Sequence, residues 1–398
     1  MAADDKNLVF GQPLIGEAEI REVEDTLRSG WIGCGPKTKR FEADFAAYKD
    51  SNCALALNSG TSALFHALDA AGIGAGDEVI TTALTFVATI NSIIHVGATP
   101  IIVDVDDETQ NIDPAKIEAA VTERTKAILP VHLAGLPCDM DAIMSIANSH
   151  NLLVIEDAAH AIEAEYKDKK IGTIGDFGCF SFYPTKNLTT GEGGMLLAKD
   201  PAHLALARSR SAHGLSADAY NRYTSSTFAH YRATEVGYKN NMYDLQAALG
   251  IHQLARLEEN WQVRKSHWMQ YRSELSGIGL TLPALPPSNV RHAYHLFAMR
   301  VTSDFGVTRD EFIKRMNANG IGCGVHYLSI ADHPYHEDRL GLESGDYPVA
   351  ENISAETVSI PLSAKLNAQD VARVIEAVRH VHRGGLSDLS TCGTDLRI

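Results

Sequence analysis

The chain has 398 residues, of which 45% are hydrophobic and 21% are charged, and these are ordinary values for a globular protein. This composition excludes a largely disordered or fibrous chain, and the length predicts a large domain together with a smaller one. Lys and Arg number 35 against 50 Asp and Glu, and the resulting net charge of −15 disfavours nonspecific binding to nucleic acid or anionic membrane.

The 6 cysteines are widely spaced and form no C-x-x-C pair, so the sequence predicts neither a zinc ribbon nor a dense disulfide framework. The first residues lack the basic and apolar segments of a signal peptide. No apolar run reaches the roughly 18 residues that a membrane helix needs. We therefore expect a cytoplasmic protein.

Short β-rich runs alternate with helical patterns between Cys53 and Asp157. The β-rich runs are EVITT, TPIIVDVD, AILPVHL and LLVIED. Between them, Asp113 before Pro114 is a helix-start signal. A further helical segment has apolar residues at helical spacing: Leu64, Ala67, Leu68 and Ala71. This alternation predicts a parallel sheet flanked by helices.

The second half of the chain has a different pattern. An amphipathic run predicts one connecting helix from Tyr243 to about Leu275. The run HLFAMRV then predicts a strand, and a capping box of Thr308 and Glu311 begins a helix. The run GCGVHYL predicts another strand, and Asn367 begins the last helix.

We expect an α/β protein with a large, mainly parallel sheet domain and a smaller α+β domain at the C-terminal end. The expected units are a large domain over 1–255, a smaller domain over 256–383 and a flexible tail over 384–398.

The segment NSGTS, residues 58–62, lies between a predicted strand and a predicted helix. Free N–H groups and the positive end of the helix dipole attract a phosphate at such a position. For this segment taken alone, a plain Ser/Thr helix cap is the simpler explanation. The glycine-rich segments 72–76 and 191–194 have neither Walker A spacing nor the position of a dinucleotide fingerprint.

Two charged residues follow buried strands. Asp157 ends the run LLVIED, at the sheet edge where ligands of open α/β folds bind, although a purely structural acid is an equal alternative. Lys186 follows another apolar run, and a partly desolvated lysine there has a lowered pKa and is able to form a Schiff base. A surface lysine is the simpler explanation of Lys186 alone. The combination of phosphate site, strand-end acid and loop lysine is typical of pyridoxal 5′-phosphate (PLP) sites.

Several motifs resemble those of the DegT/DnrJ/EryC1/StrS family of PLP-dependent sugar aminotransferases. The resemblance covers about Phe10 to His382 in order. Within the family, RHAYHLFAMRV and GIGCGVHYL are most similar to enzymes that aminate C4 of UDP-4-keto sugars, such as UDP-4-amino-4-deoxy-arabinose aminotransferases. The motifs that carry the resemblance are NSGTSAL, DEVITTALTFVAT, GATPIIVDVD, VHLAGLPCDMDAI, VIEDAAHA, SFYPTKNLTTGEGG and GYKNNMYDLQAALGIHQL.

The resemblance implies the PLP-dependent transferase fold of type I and a role for each matching residue. Lys186 would anchor the cofactor covalently and move the proton during transfer, and Asp157 would pair with the pyridine nitrogen. Phe86 would stack on the cofactor, and His160 would lie near its phenolic oxygen. Core packing for Phe86 and a satisfied buried histidine for His160 are the alternatives. The residues at the phosphate-binding positions are Gly60, Thr61 and Ser181.

The resemblance also implies a homodimer with shared sites, in which Asn241 completes the phosphate site of the neighbouring subunit. The segment 219–244 interleaves basic and tyrosine residues that suit a diphosphate and a base, although a solvated loop is the plain alternative. Tyr183 stands where several relatives have His, and Phe86 where others have Trp or Tyr, so the sugar stays open. The expected substrate-binding residues are Tyr183, Arg232, Lys239 and His326.

The expected reaction moves an amino group from L-glutamate to a nucleotide-linked keto sugar, with C4 favoured over C3. A PLP-dependent sugar dehydratase is an alternative, but family dehydratases replace the lysine by histidine, and this chain has Lys186. A non-catalytic PLP-binding regulator would need a basic DNA-binding extension, which the sequence lacks. A dinucleotide-dependent dehydrogenase would need a well-placed G-x-G-x-x-G motif, which is also missing.

Overall fold

The computed structural model describes residues 7–215, 230 and 232–384, so the predicted tail lies outside the described residues from position 385 onward. The α-helices in the described part of the chain are α1 (Glu17–Ser29), α2 (Pro36–Tyr48), α3 (Gly60–Ala70), α4 (Val87–His95), α5 (Pro114–Ala120), α6 (Met140–His150), α7 (Pro201–Arg210), α8 (Asp244–Ala255), α9 (Leu257–Glu274), α10 (Arg309–Ala318), α11 (Pro334–Leu340), α12 (Pro348–Glu356) and α13 (Ala368–His382).

The strands of the same residues form three sheets. They are β1 (Leu55–Leu57), β2 (Glu78–Thr82), β3 (Thr99–Val103), β4 (Thr125–Leu129), β5 (Leu153–Asp157), β6 (Glu165–Tyr166), β7 (Lys169–Lys170), β8 (Phe177–Ser181), β9 (Gly194–Ala198), β10 (Leu280–Thr281), β11 (Val290–Arg291), β12 (Phe297–Val301) and β13 (Thr357–Ile360).

The largest sheet has seven strands in the order β1-β9-β8-β5-β4-β2-β3. Its pairings from β3 to β8 are parallel, whereas β9 runs antiparallel to both β8 and β1. The four predicted strand runs form β2, β3, β4 and β5, so the prediction of an α/β fold with a mainly parallel sheet is confirmed. Because β5 and β8 are adjacent and parallel, their carboxyl ends meet at one edge of the sheet.

Local signals explain where the helices begin. The carboxylate of Asp113 accepts a hydrogen bond from the Ala115 N–H at 2.9 Å, and Pro114 is the first residue of α5. The predicted apolar face of α3 is buried against the sheet. These caps and this apolar face confirm the alternation of strand and helix that the sequence predicts.

The predicted single helix from Tyr243 to Leu275 is wrong in one respect, because the structure has two helices, α8 and α9, there. At Arg256 the backbone has φ −109° and ψ 12°, which is outside helical geometry. The Arg256 guanidinium donates to the Leu14 carbonyl and to the Glu19 carboxylate, which lies in a different part of the chain. The break coincides with this tertiary anchor, and such an anchor has no signal in the helical periodicity.

The C-terminal part contains an antiparallel sheet in the order β10-β12-β13. The predicted strand HLFAMRV is β12, and Thr308 and Asn367 cap α10 and α13 as predicted. The predicted strand GCGVHYL is wrong. In that segment Gly324 forms one isolated bridge to Ser359, after which the backbone leaves the sheet and His326 lines a cavity.

Two main hydrophobic cores correspond to these sheets. Phe41, Phe45 and Phe180 pack in the core of the large sheet, while Trp268 and Phe297 pack in the core of the small sheet. The division of the chain at residue 255 stays a prediction. None of the described helices is long and apolar enough to cross a lipid bilayer.

Candidate active site

A cavity of about 490 Å³ lies at the carboxyl edge of the large sheet. Its lining comes from the ends of β5 and β8, the start of α3, the start of α4 and the segment after α10. Because these elements converge there, the cavity collects most of the predicted site residues: Gly60, Thr61, Phe86, Asp157, His160, Ser181, Tyr183, Lys186 and His326.

Asp157 is the buried acid of this cavity. Its carboxylate accepts hydrogen bonds from the Thr89 hydroxyl at 2.9 Å and from the Ala159 N–H at 3.2 Å. Burial raises the pKa of Asp157, while these two donors and the charge of Lys186 act in the opposite direction. The Thr89 hydroxyl is itself 2.8 Å from the hydroxyl of Thr85, so the carboxylate is held in one orientation.

Lys186 follows β8 in a tight turn, in which its N–H donates to the Tyr183 carbonyl at 2.9 Å. Burial lowers the pKa of the Lys186 ammonium to about 8, and the opposing charge of Asp157 limits the fall. An amine with this pKa is neutral in about a tenth of molecules at pH 7, far more than an ordinary lysine. The arrangement therefore supplies a nucleophilic amine beside a buried carboxylate.

The start of α3 forms the second polar part of the cavity. The Ser59 side chain accepts from the Ser62 N–H at 3.1 Å and caps the helix. Gly60 is required at the first position, because a Cβ there would lie 2.8 Å from the Cβ of Ser181. The first N–H groups of a helix have no partner within the helix, and Gly60 and Thr61, which carry two of them, line the cavity. This geometry suits a phosphate group.

His160 lies in the wall of the cavity, and burial lowers its pKa well below the usual value, so the ring is neutral. The ring accepts from the Ala134 N–H at Nδ1, 3.2 Å away, and its Nε2 is 3.0 Å from the hydroxyl of Tyr327. Phe86 directly precedes α4 and is 55% exposed, with its ring centroid 5.7 Å from that of Tyr327.

Residues 13–379 match the sequence model of the DegT/DnrJ/EryC1/StrS aminotransferase family. The chain belongs to this family. It is 49% identical over 380 residues to the spore coat polysaccharide biosynthesis protein SpsC of Bacillus subtilis (strain 168), a match that covers 95% of this chain and 97% of SpsC.

Solved structures of sugar aminotransferases have the same fold. The putative sugar aminotransferase Spr1654 of Streptococcus pneumoniae, in its PLP form, superimposes with a TM-score of 0.88 at 34% identity, over 96% of this chain and 100% of that chain. Helicobacter pylori PseC, an aminotransferase involved in the biosynthesis of pseudoaminic acid, gives a TM-score of 0.88 at 25% identity, over 96% and 100%. The protein is thus an aminotransferase of the sugar aminotransferase family, which depends on PLP.

The cavity of this aminotransferase fits PLP on its own geometry. The cofactor has an aldehyde, a pyridine nitrogen and a phosphate, and each has a chemically matched group in the cavity. Lys186 is an amine with a lowered pKa, Asp157 is a carboxylate able to pair with a protonated ring nitrogen, and the start of α3 offers N–H groups. Gly60 keeps that last position open for close approach.

Sequence reasoning missed several residues that line the cavity, and those with polar or aromatic side chains facing the predicted residues include Phe10, Thr89, His295 and Tyr327. Phe10 comes from an N-terminal segment far from the other lining residues in sequence, and its ring stacks on His326 with centroids 5.0 Å apart. His295 and Tyr327 stand inside the two motifs RHAYHLFAMRV and GIGCGVHYL, so their position in those motifs was the available signal.

Three predicted site residues are not brought together with the others. Among the described residues that line the cavity, Arg232, Lys239 and Asn241 do not occur. Lys239 donates to the Asn241 side-chain oxygen at 2.7 Å, and Asn241 bridges to Leu57 of β1. Part of the predicted substrate segment 219–244, residues 219–229 and 231, lies outside the described residues.

Proposed function

We propose that this aminotransferase moves an amino group from L-glutamate to a nucleotide-linked keto sugar, a UDP- or dTDP-4-keto sugar with C4 as the aminated carbon, for amino-sugar biosynthesis. One observation carries the reaction class: Lys186, with a pKa lowered to about 8, lines the same cavity as the buried acid Asp157. The choice of C4 rests on the resemblance of the two motifs RHAYHLFAMRV and GIGCGVHYL to C4 enzymes. Function in a polysaccharide pathway agrees with the name of SpsC.

The chain would hold the cofactor at its phosphate and at its ring nitrogen. PLP, when bound, supplies an electron-withdrawing ring that stabilises negative charge at the carbon from which a proton is removed. Gly60, Thr61 and Ser181 surround the position suited to its phosphate. Asp157 would pair with the ring nitrogen and hold a proton there, because a buried carboxylate is stabilised by a cation within hydrogen-bond distance.

Lys186 carries the proton during transfer. Its Nζ would hold the cofactor covalently, and the same amine, when free, would take and return the proton at the reacting carbon. A pKa of about 8 suits both directions, since general acid–base catalysis is most efficient when the pKa lies near the working pH. Because Lys186 lines the same cavity as Asp157, the amine works beside a negative charge that limits further loss of its proton.

A second copy of the chain completes the site in this proposal. Asn241 would extend from one subunit toward the phosphate position of the other, which agrees with its place outside the cavity of its own chain. Mixing Lys186→Ala and Asn241→Ala subunits tests this. Each mixed dimer then has one site with both side chains intact, so activity should return above that of either variant alone. Mixed dimers that form but regain no activity would contradict the shared site.

A glutamate-dependent assay over a panel of nucleotide sugars tests the whole proposal. The panel contains 4-keto and 3-keto sugars carrying UDP or dTDP, and the aminated carbon is identified by NMR. We expect amination at C4 with release of 2-oxoglutarate. Amination confined to C3 would overturn the regiochemistry, and loss of the sugar hydroxyl without incorporation of nitrogen would favour the dehydratase alternative.

A further inference from the structure

A strained backbone residue sets the proton position on His160. Ala134 has φ 55° and ψ 3°, the left-handed region that residues other than glycine rarely adopt. In this conformation its N–H donates to Nδ1 of His160 at 3.2 Å. A backbone N–H is only a donor, so Nδ1 must be the acceptor, and the neutral ring carries its proton on Nε2.

That proton determines what Tyr327 can do. His160 Nε2 donates to the Tyr327 hydroxyl oxygen at 3.0 Å, so the hydroxyl is an acceptor in this bond. Its own hydrogen has no other hydrogen-bond partner among the described residues, and Tyr327 lines the cavity. Burial raises the pKa of Tyr327, so the hydroxyl keeps its proton. Tyr327 therefore presents a hydrogen-bond donor to the cavity.

His295 has the opposite hydrogen-bonding role, because it offers an acceptor to the cavity. The amide nitrogen of Asn187 donates to Glu163 at 2.8 Å and to the Ala293 carbonyl at 3.1 Å. A carbonyl only accepts, so this fixes the amide, and its oxygen faces His295 Nδ1 at 3.0 Å. His295 must carry its proton on Nδ1. Burial lowers the pKa of this ring far below the usual value, so Nε2 is an unprotonated acceptor.

The two groups belong to one wall of the cavity. The ring centroid of His160 lies 5.9 Å from that of Tyr327 and 4.4 Å from that of His295, and all three residues line the cavity. Among the hydrogen bonds of the described residues, His295 Nε2 has no partner. It is also not one of the unpaired polar atoms that are fully buried, so a ligand is able to reach it. A ligand group that both accepts and donates satisfies this wall.

We propose that Tyr327 and His295, here called the hydroxyl pair, recognise a hydroxyl group of the sugar substrate. A hydroxyl accepts from the Tyr327 O–H and donates to His295 Nε2 at the same time. A carbonyl oxygen leaves His295 unpaired, and an ammonium group leaves Tyr327 unpaired, and an unpaired buried group is costly. The inference rests on the proposed function and makes the hydroxyl pair a specificity determinant beyond the choice of aminated carbon.

Deoxy analogues of the keto sugar test the hydroxyl pair in the holoenzyme. Each analogue lacks one hydroxyl, and kcat/KM is measured for the parent and every analogue. The affinity of each aminated product for the enzyme in its pyridoxamine phosphate form is measured by calorimetry. One analogue should lose at least about 100-fold in both quantities, because a site that hydrogen-bonds a hydroxyl rejects compounds without it. The other analogues should lose less.

The variant Tyr327→Phe assigns that loss to the pair, with Tyr335→Phe as the matched control, because Tyr335 is 60% exposed and outside the cavity. Tyr327→Phe should lower kcat/KM for the parent sugar by a similar factor. It should not lower kcat/KM any further for the analogue that lacks the recognised hydroxyl, as expected for two groups in direct contact. Tyr335→Phe should behave as wild type. The ¹⁵N NMR shifts of the unchanged protein should show His160 protonated on Nε2 and His295 on Nδ1.

Three results would overturn the inference. The first is that Tyr327→Phe lowers kcat/KM by the same factor for the parent sugar and for every analogue. The second is a change in the cofactor absorbance of Tyr327→Phe without any change in discrimination, which would assign the Tyr327 proton to the cofactor. The third is His160 protonated on Nδ1. If no nucleotide sugar is aminated, the proposed function itself fails, whereas amination without discrimination overturns the hydroxyl pair alone.

Discussion

The cavity is lined by two groups of residues that reach it in different ways. The sheet group lies at the ends of large-sheet strands or in the turns and helix starts that follow them, and consists of Gly60, Asp157, Ser181 and Lys186. The peripheral group comes from the N-terminal segment and from segments next to the small sheet, and consists of Phe10, His295, His326 and Tyr327.

The two groups also differ in how they are held in place. The sheet group is fixed by hydrogen-bonded strands and a helix start, so its charged atoms have little freedom of position. The peripheral group is held by ring contacts and side-chain hydrogen bonds between segments that are distant in sequence. We infer that the sheet group supports the chemistry common to the family, while the peripheral group selects the sugar.

Removal of the lysine should have the largest effect of any single change. Lys186→Ala deletes both the covalent anchor and the proton carrier, so turnover with glutamate and keto sugar should fall by about 10³-fold or more. Borohydride should no longer attach the cofactor to the protein. Turnover and mass spectrometry after reduction measure the two effects.

Lys199→Ala is the matched control, because Lys199 is an exposed lysine that does not line the cavity. It should keep both activity and borohydride labelling. Retained turnover in Lys186→Ala would show that the sheet group does not perform the reaction.

Removal of the charge of Asp157, the acid of the sheet group, should have the second largest effect on activity. Asp157→Asn keeps the size of the side chain but removes the charge that would hold a proton on the cofactor ring. The loss of one well-placed electrostatic partner typically costs about 10²–10³-fold in kcat, and we expect a fall of that order with KM for the sugar changed less.

Asp310→Asn, a change of an 84% exposed acid outside the cavity, should have no such effect. A large rise in KM for the sugar with kcat unchanged would instead place Asp157 among the recognition residues.

The two groups also differ in how far sequence predicts them. Asp157 and Lys186 follow apolar runs, and parallel strands bring their carboxyl ends to one edge, so the strand pattern together with the NSGTS segment pointed to a shared site. Phe10 has no such signal, because its contact with His326 depends on where the N-terminal segment crosses the molecule. The polarity of Tyr327 and His295 depends on Ala134 and Asn187, and hydrogen-bond direction has no periodicity in sequence.

Two errors in secondary structure lie where side chains make tertiary contacts that local propensity does not include. Arg256, at the helix break, binds Leu14 and Glu19. After the single bridge of Gly324, His326 contacts the ring of Phe10 and the hydroxyl of Ser359. Local caps such as Asp113 and Asn367 were predictable because both partners of each hydrogen bond lie within one turn.

The pH dependence of cofactor attachment should distinguish the buried lysine from an ordinary one. Attack on the PLP aldehyde needs the neutral amine, and burial lowers the pKa of Lys186 to about 8. Below that pH the rate constant for covalent attachment to the apoenzyme should rise about tenfold per pH unit, and it should level off above it. Stopped-flow absorbance between pH 6 and pH 10, roughly the range around that pKa, measures the profile.

The charge of Asp157 raises the pKa of Lys186, so Asp157→Asn should move the half-maximal point to lower pH. Asp310→Asn should leave it in place. A profile that levels off only near the usual lysine value of about 10.5 would contradict the burial of the amine.

Among these changes, loss of the Phe10 ring from the peripheral group should have the smallest effect and a different kinetic signature. Phe10→Ala removes a ring that stacks on His326 with centroids 5.0 Å apart, and such pairs contribute about 0.5–1.5 kcal/mol. We expect KM for the sugar to rise about 2- to 10-fold, with the rate of the glutamate half-reaction and the borohydride labelling unchanged. Val9→Ala, a neighbour that is 54% exposed, is the control and should match wild type. If Phe10→Ala slowed the glutamate half-reaction as strongly as the sugar half-reaction, the N-terminal segment would support the chemistry itself, and the separation of reaction from recognition would be wrong.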